Sequence, residues 1–431
     1  MTPIKVFYNK EPNKNIVSAK DGADVWHDIV LPDGTQSDYT GIGDILNTLG
    51  IDFEWSDNLK GSIPFINVGS LSHRSSKFYK ICEYANMNYD KAIILSTQEP
   101  WQKNILDKFL RTFDNLFFMD CSTHLYDAQQ YHKRYMPFPF LLTKFGSLKS
   151  QITVVHPNIT YNNQIKAFNC LMNNWRSDKH VLFTILKNTI SNFRHDAGNL
   201  VEENMVTYRK RQDESTPGNF SYLNKIDEDR EFLRKLENGL HTFEDLELEN
   251  EVYLNDTLGF MNDRHFDCTF RIIPEHVFND TYFSLVCESF SGSEFTKDFD
   301  PIEQGDIVNF IDSRPYVTEK TILPMLNGHP WISYAEIGFH ETMRELGFQI
   351  HDELFDMSFD NNGCLIQRAQ SLVTMVNNLN YEHIATQVKD FKSETRQKIL
   401  HNQNLILNKN SRLWNELEYT MIKYLRVFNE F

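Results

Sequence analysis

A chain of 431 residues with 41% apolar and 13% aromatic content can bury two or three cores, which excludes disorder as its general state. Its formal charge of −16 repels polyanions, so nucleic acid and anionic membrane are disfavoured as partners unless a local basic groove overrides that field. The 6 cysteines (Cys82, Cys121, Cys170, Cys268, Cys287, Cys364) form no CxxC pair, which argues against a zinc site or disulfide framework and fits a reducing, cytoplasmic compartment.

The opening MTPIKVFYNKEPNKN has no apolar signal-peptide core, and no run of about 18 apolar residues occurs, so neither export nor a membrane span is expected. Short apolar runs then alternate with helical patterns. IKVFY, IPFINVG, KAIILST and NLFFMDC read as strands, and GIGDILNTLG, SSKFYKICEYANM and WQKNILDKFLRTF as helices. Continuous apolar runs between helices are what a parallel sheet covered on both faces requires. The first 160 residues are therefore expected to form a Rossmann-like, doubly wound domain.

Prolines in YMPFPF and at Pro157 break this rhythm and place a boundary near residue 160. A second α/β domain is expected over 161–385, opening with the strand AFNCLMN and carrying a charged insertion near 202–262. Alternation resumes with YFSLVCES as strand, TEKTILPMLNG as helix, PWISY as strand and HETMRELGF as helix. From Ile384 to Phe428 the pattern reads as continuously helical, and a helical tail over 386–431 is expected to pack back toward the first domain.

The helix TEKTILPMLNG has an unusual start. Thr318 suits the N-cap and Gly328 the C′ stop, while Pro324 inside it predicts a kink. Glu288 ends the preceding strand, which delivers a carboxylate to the carboxyl edge of the sheet. A lysine in the first helical turn, Lys320, is electrostatically wrong for an empty helix N-terminus, and a bound phosphate removes the conflict. Ordinary capping is the competing account.

The string Tyr316-Val317-Thr318-Glu319-Lys320, preceded by a strand ending in Glu288-Ser289, resembles the donor-binding signature of family 10 glycosyltransferases, the α1,3/4-fucosyltransferases. It is also similar to related phage-encoded glycosyltransferases, in which the TEKT…NGHPWI and ELGF…DELFDMSFD phrases recur in similar form. The resemblance covers Tyr282 to Asp360. It implies a GT-B architecture, two Rossmann-like domains facing across a cleft, with a nucleoside-diphosphate sugar such as GDP-fucose on the second. Carried over by motif, Lys320 contacts the diphosphate, Glu319 and Tyr316 the ribose or sugar, and Glu288 lies near the donor. A second basic residue is expected after the first strand of the donor domain; Arg176 fills it, and a plain surface arginine is the alternative. The family also places a general base on the first domain. Glu99, after KAIILST, has that position, with a solvated loop glutamate as the alternative. The chain departs from the family in having VCES where fucosyltransferases have FEN, which leaves the sugar open.

Other chemistries fail on spacing. The acidic triplets Asp227–Asp229 and Asp298–Asp300 do not follow buried strands, and the 15 histidines form no HxxxH pair on a convincing helix, so no metal is expected. No GxGxxG or GxxxxGK[ST] occurs. The expected function is inverting, metal-independent transfer of a sugar to a hydroxyl, with a glycan as acceptor and no cofactor beyond the donor. Two alternatives differ in class: transfer to a hydroxylated base in phage DNA, with His132–Arg134 and Arg209–Arg211 lining a groove, and a non-catalytic glycan- or nucleotide-binding module.

Overall fold

The computed structural model describes residues 3–7, 42–67, 76–96, 101, 103–122, 132–139, 161, 166–170, 182, 185–186, 189–190, 192–195, 278–288, 317–362 and 365–430. It is a mixed α/β protein with parallel sheets. The chain divides into two compact units, the first made of Met1–Thr153, Asp312–Val317 and Leu405–Phe431, the second of Val154–Ile311 and Thr318–Asn404.

In the first unit, β1 (Ile4–Phe7) pairs in parallel with β2 (Phe53–Ser56), and α1 (Ile42–Thr48) lies between them in sequence. A second parallel sheet has the order β3 (Phe65–Asn67), β4 (Ala92–Ser96), β5 (Leu116–Asp120), β6 (Tyr135–Pro137). The crossovers are α2 (Ser76–Asn88) and α3 (Lys103–Thr112). Every residue of β4 and β5 is buried, which is why these strands are apolar on both faces rather than alternating. One face packs Ile94 and Phe118 against Phe78, Ile81 and Phe109 of α2 and α3. The other face presents Phe117 to α9 (Arg412–Glu430), where the ring of Phe428 lies 4.9 Å and that of Tyr424 5.9 Å away. The Tyr424 hydroxyl donates to Phe118 O at 2.9 Å, and Lys91 Nζ donates to Phe428 O at 2.5 Å.

The second unit holds a parallel sheet of order β10 (Trp331–Tyr334), β9 (Thr281–Cys287), β7 (Lys166–Cys170), β8 (Arg194–His195). Phe283, Leu285, Cys287, Ile332 and Tyr334 form one face and meet Ala369, Leu372 and Val373 of α6 (Leu365–Asn377). Ser284 and Ser333 belong to the opposite face, where Ser333 Oγ lies 3.4 Å from Thr321 Oγ1 of α4 (Glu319–Leu326). Two further pieces, α5 (Phe339–Glu345) and a 3-10 turn (Met357–Asn361), link β10 to α6. Next come α7 (Tyr381–Lys389) and α8 (Glu394–Leu407).

Three expectations meet the structure here. The C-terminal region is helical but not continuous: it breaks between α7 and α8 and again between α8 and α9. Asp390 accepts from Lys392 N at 2.9 Å and Asn408 from Asn410 N at 3.0 Å, local turns in which the side chain replaces a helical carbonyl. Arg134, considered for a DNA groove, is buried and donates to the main-chain carbonyls of Leu110, Phe113 and Leu116. It satisfies carbonyls at and beyond the end of α3 rather than facing a polyanion. Helix α4 ends as expected, with Gly328 at φ 67°, a left-handed conformation that glycine adopts without a Cβ clash.

His329, directly after that glycine, locks the two central strands. Its Nε2 donates to Thr281 O at 2.9 Å and its Nδ1 accepts from Ser284 Oγ at 2.8 Å. Full burial pushes its pKa down to about 4. The unfolded chain takes up a proton near 6.5 and the folded chain only near 4, so this histidine's contribution is complete above 6.5 and is lost as pH falls toward 4. The expected loss is roughly 3 kcal/mol across that window. Urea titrations at a series of pH values should show it, with a flatter profile in His329→Asn.

Candidate functional site

The carboxyl edge of the second sheet is assembled from β9, β10 and the helices beside them. Cys287 pairs with Tyr334, and Glu288 N extends the ladder by donating to Tyr334 O at 3.1 Å. The Glu288 carboxylate is 0% exposed. It accepts from Thr318 N at 3.3 Å, from Thr318 Oγ1 at 2.5 Å and from Thr321 Oγ1. A buried carboxylate is tolerable only when its oxygens are satisfied, and the positive end of a helix favours it further. Glu288 thus serves as an internal anion for the mouth of α4 and ties the first turn of that helix to the end of β9.

Thr318 is the N-cap, its hydroxyl accepting from Lys320 N at 3.2 Å. Lys320 is half-buried in the same turn. The structure therefore brings Glu288, Thr318 and Lys320 together. Glu319 opens α4, but its side chain lies outside the described residues, as do Glu99, Arg176 and Tyr316.

On the open side of β10, Ser333 N donates to His340 Nε2 at 3.1 Å. That bond assigns the ring proton to Nδ1, which lies 3.2 Å from Asp360 Oδ2. Asp360 in turn accepts from His340 N at 3.0 Å. The pair closes an edge that would otherwise present an unpaired donor.

The first sheet carries a residue that sequence reasoning passed over. Asp120 ends β5, is fully buried, and accepts from Trp101 N at 2.8 Å, Ser122 Oγ at 2.6 Å and Tyr135 OH at 2.9 Å. It holds the chain just past Glu99. The signal was available, since NLFFMDC is an apolar run ending on a carboxylate, the pattern used for the β9 glutamate.

Asp352, Glu353 and Glu394 are close enough to suggest a cation site. The ammonium of Lys398 already sits among them, at 2.5, 2.6 and 2.9 Å. Burial alone would raise the Glu353 pKa; His351, Lys398 and Thr395 outweigh it and hold the carboxyl at about 2. The phrase DELF thus builds an ion-pair network that fastens α8, and its charge is met internally.

A groove of about 780 Å³ runs along the outer side of α6, lined by Asp356, Gln367 and Thr374. Another of about 760 Å³ lies at the amino edge of the second sheet, beside Tyr282 and Glu382. Neither reaches Glu288 or Lys320. Among the described residues no helix is long and apolar enough to cross a membrane. No family model, no curated protein and no solved structure matches the chain.

Proposed function

We propose that the chain is an inverting, metal-independent glycosyltransferase of GT-B type, moving a sugar from a nucleoside diphosphate to a hydroxyl of a glycan. The observation that carries this reading is the clamp between Glu288 and the start of α4. A carboxylate from a parallel strand fixes a helix mouth with Lys320 in its first turn, within the segment that resembles the family 10 donor signature. Ligands of open α/β sheets bind at this edge. Buried free thiols at Cys82, Cys121, Cys170 and Cys287 support a reducing, cytoplasmic setting.

In this reading Glu99 takes the proton of the acceptor hydroxyl as it attacks the anomeric carbon. Positive charge then develops on the sugar ring and negative charge on the departing diphosphate. Lys320, Arg176 and the α4 main chain stabilise that leaving group, the work a divalent cation does in other transferases. Tyr316 and Glu319 contact the ribose or sugar. Glu288, enclosed by Thr318 and Thr321, acts as a positioning residue.

Lys320→Ala is expected to weaken binding of the nucleoside diphosphate by about tenfold or more, because it removes a charge-assisted contact without disturbing the core. Calorimetric titration across a panel of nucleoside diphosphates checks this, and unchanged affinity removes the donor assignment. Donor turnover is expected to persist in excess EDTA. Loss of turnover restored by manganese or magnesium would mean the leaving group is neutralised by a metal instead.

A further inference from the structure

Arg368 lies in the first turn of α6 and is 3% exposed. Its guanidinium sits 5.4 Å from the centroid of the Tyr334 ring, at the last residue of β10. Among the described residues neither Nε nor Nη1 has a hydrogen-bond partner. An arginine stays charged when buried, and a guanidinium with unmet donors away from water is costly. The tyrosine face offsets part of that cost, but a ring cannot accept two directed N–H bonds in the guanidinium plane.

The place of Arg368 in the fold supplies the missing partner. Helix α6 runs from the carboxyl edge, where Arg368 meets Tyr334, toward the amino edge, where Asn377 lies with Tyr282 in the lining of one groove. Helix α4 runs the same way on the opposite face, from Thr318 at Glu288 to Gly328 just before β10. Both N-terminal ends therefore flank one edge of the β9–β10 pair, and each has a cation in its first turn, Lys320 and Arg368. Two positive helix ends and two cations at one sheet edge suit a polyvalent oxyanion.

We infer that Arg368 is a phosphate-binding residue, its Nε and Nη1 forming a fork for an oxyanion held at the carboxyl edge of the second sheet. The site takes phosphate or diphosphate. That the diphosphate belongs to a sugar nucleotide rests on the function proposed above; the fork itself does not.

The test uses the full chain with inorganic phosphate, pyrophosphate and nucleoside diphosphates as separate probes, read by thermal melting and calorimetry. Pyrophosphate is expected to raise the melting temperature of the wild type. Arg368→Met, close in shape and uncharged, should melt at or above the wild type without ligand and bind pyrophosphate about tenfold or more weakly. Arg368→Lys should retain part of the affinity, since it restores the charge without the fork. Absence of any pyrophosphate effect on the wild type overturns the inference. So does an Arg368→Met variant that loses stability without ligand yet keeps the full pyrophosphate shift, which would make the arginine structural. Pyrophosphate binding that depends on Arg368 without transfer from any sugar nucleotide would uphold the fork and sink the transferase reading. Transfer and binding unaffected by Arg368→Met would do the reverse.

Discussion

Glu99→Gln is expected to slow sugar transfer by about 10²- to 10⁴-fold while leaving nucleotide affinity and melting near wild type. The amide keeps the volume and hydrogen-bonding reach of the acid but cannot accept the acceptor's proton at neutral pH. The structure bears on the position through its neighbours. Ser96 closes β4, and Trp101 N is fixed by the buried Asp120, so the intervening loop is anchored at both ends. Single-turnover measurements at saturating donor separate chemistry from binding. Transfer at the wild-type rate would make Glu99 a solvated loop residue and leave the first unit without a base.

Glu288→Ala is expected to cost roughly 2–4 kcal/mol of stability, because it strips the acceptor from two threonine hydroxyls and one main-chain N–H in a site closed to water. Nucleotide binding should fall with it, since the first turn of α4 loses its tie to β9. Glu288→Gln retains an acceptor oxygen and should cost less, about 1–2 kcal/mol. Urea denaturation of the three proteins measures both. Equal midpoints for Glu288→Ala and wild type would show that the clamp does not hold the helix.

The parallel sheets were readable because fully buried strands are written as unbroken apolar runs; AIILS and LFFMD are buried at every position. The start and stop of α4 were readable for a similar reason, since a threonine cap and a glycine with positive φ act within a few residues. Partnerships across long separations were not. Nothing local in DELF announces that Lys398 will sit among its acids, and nothing in HKR announces that Arg134 turns inward. The helical breaks at Asp390 and Asn408 were missed because an Asx turn competes with a helix by only a little energy, and periodicity continues across it. Glu288 was located correctly on the strand, but its full engagement by Thr318 and Thr321 depends on the packing of α4. Arg368 gave no signal, since one arginine on an amphipathic helix reads as solvated until its burial is known.

The discontinuity of the first unit has a consequence during synthesis. Tyr424 bonds to Phe118 across 306 positions of chain. At ribosomal speeds of about 5–20 residues per second, the apolar face around Phe117 waits roughly 15 to 60 s for the helix that covers it. Throughout that interval a sheet face built from β4 and β5 is open to other chains, while the second unit is being made. Mutations in α9 should therefore show first as lost soluble yield rather than as altered chemistry, and a chaperone that shields nascent chains should raise recovery of the intact protein.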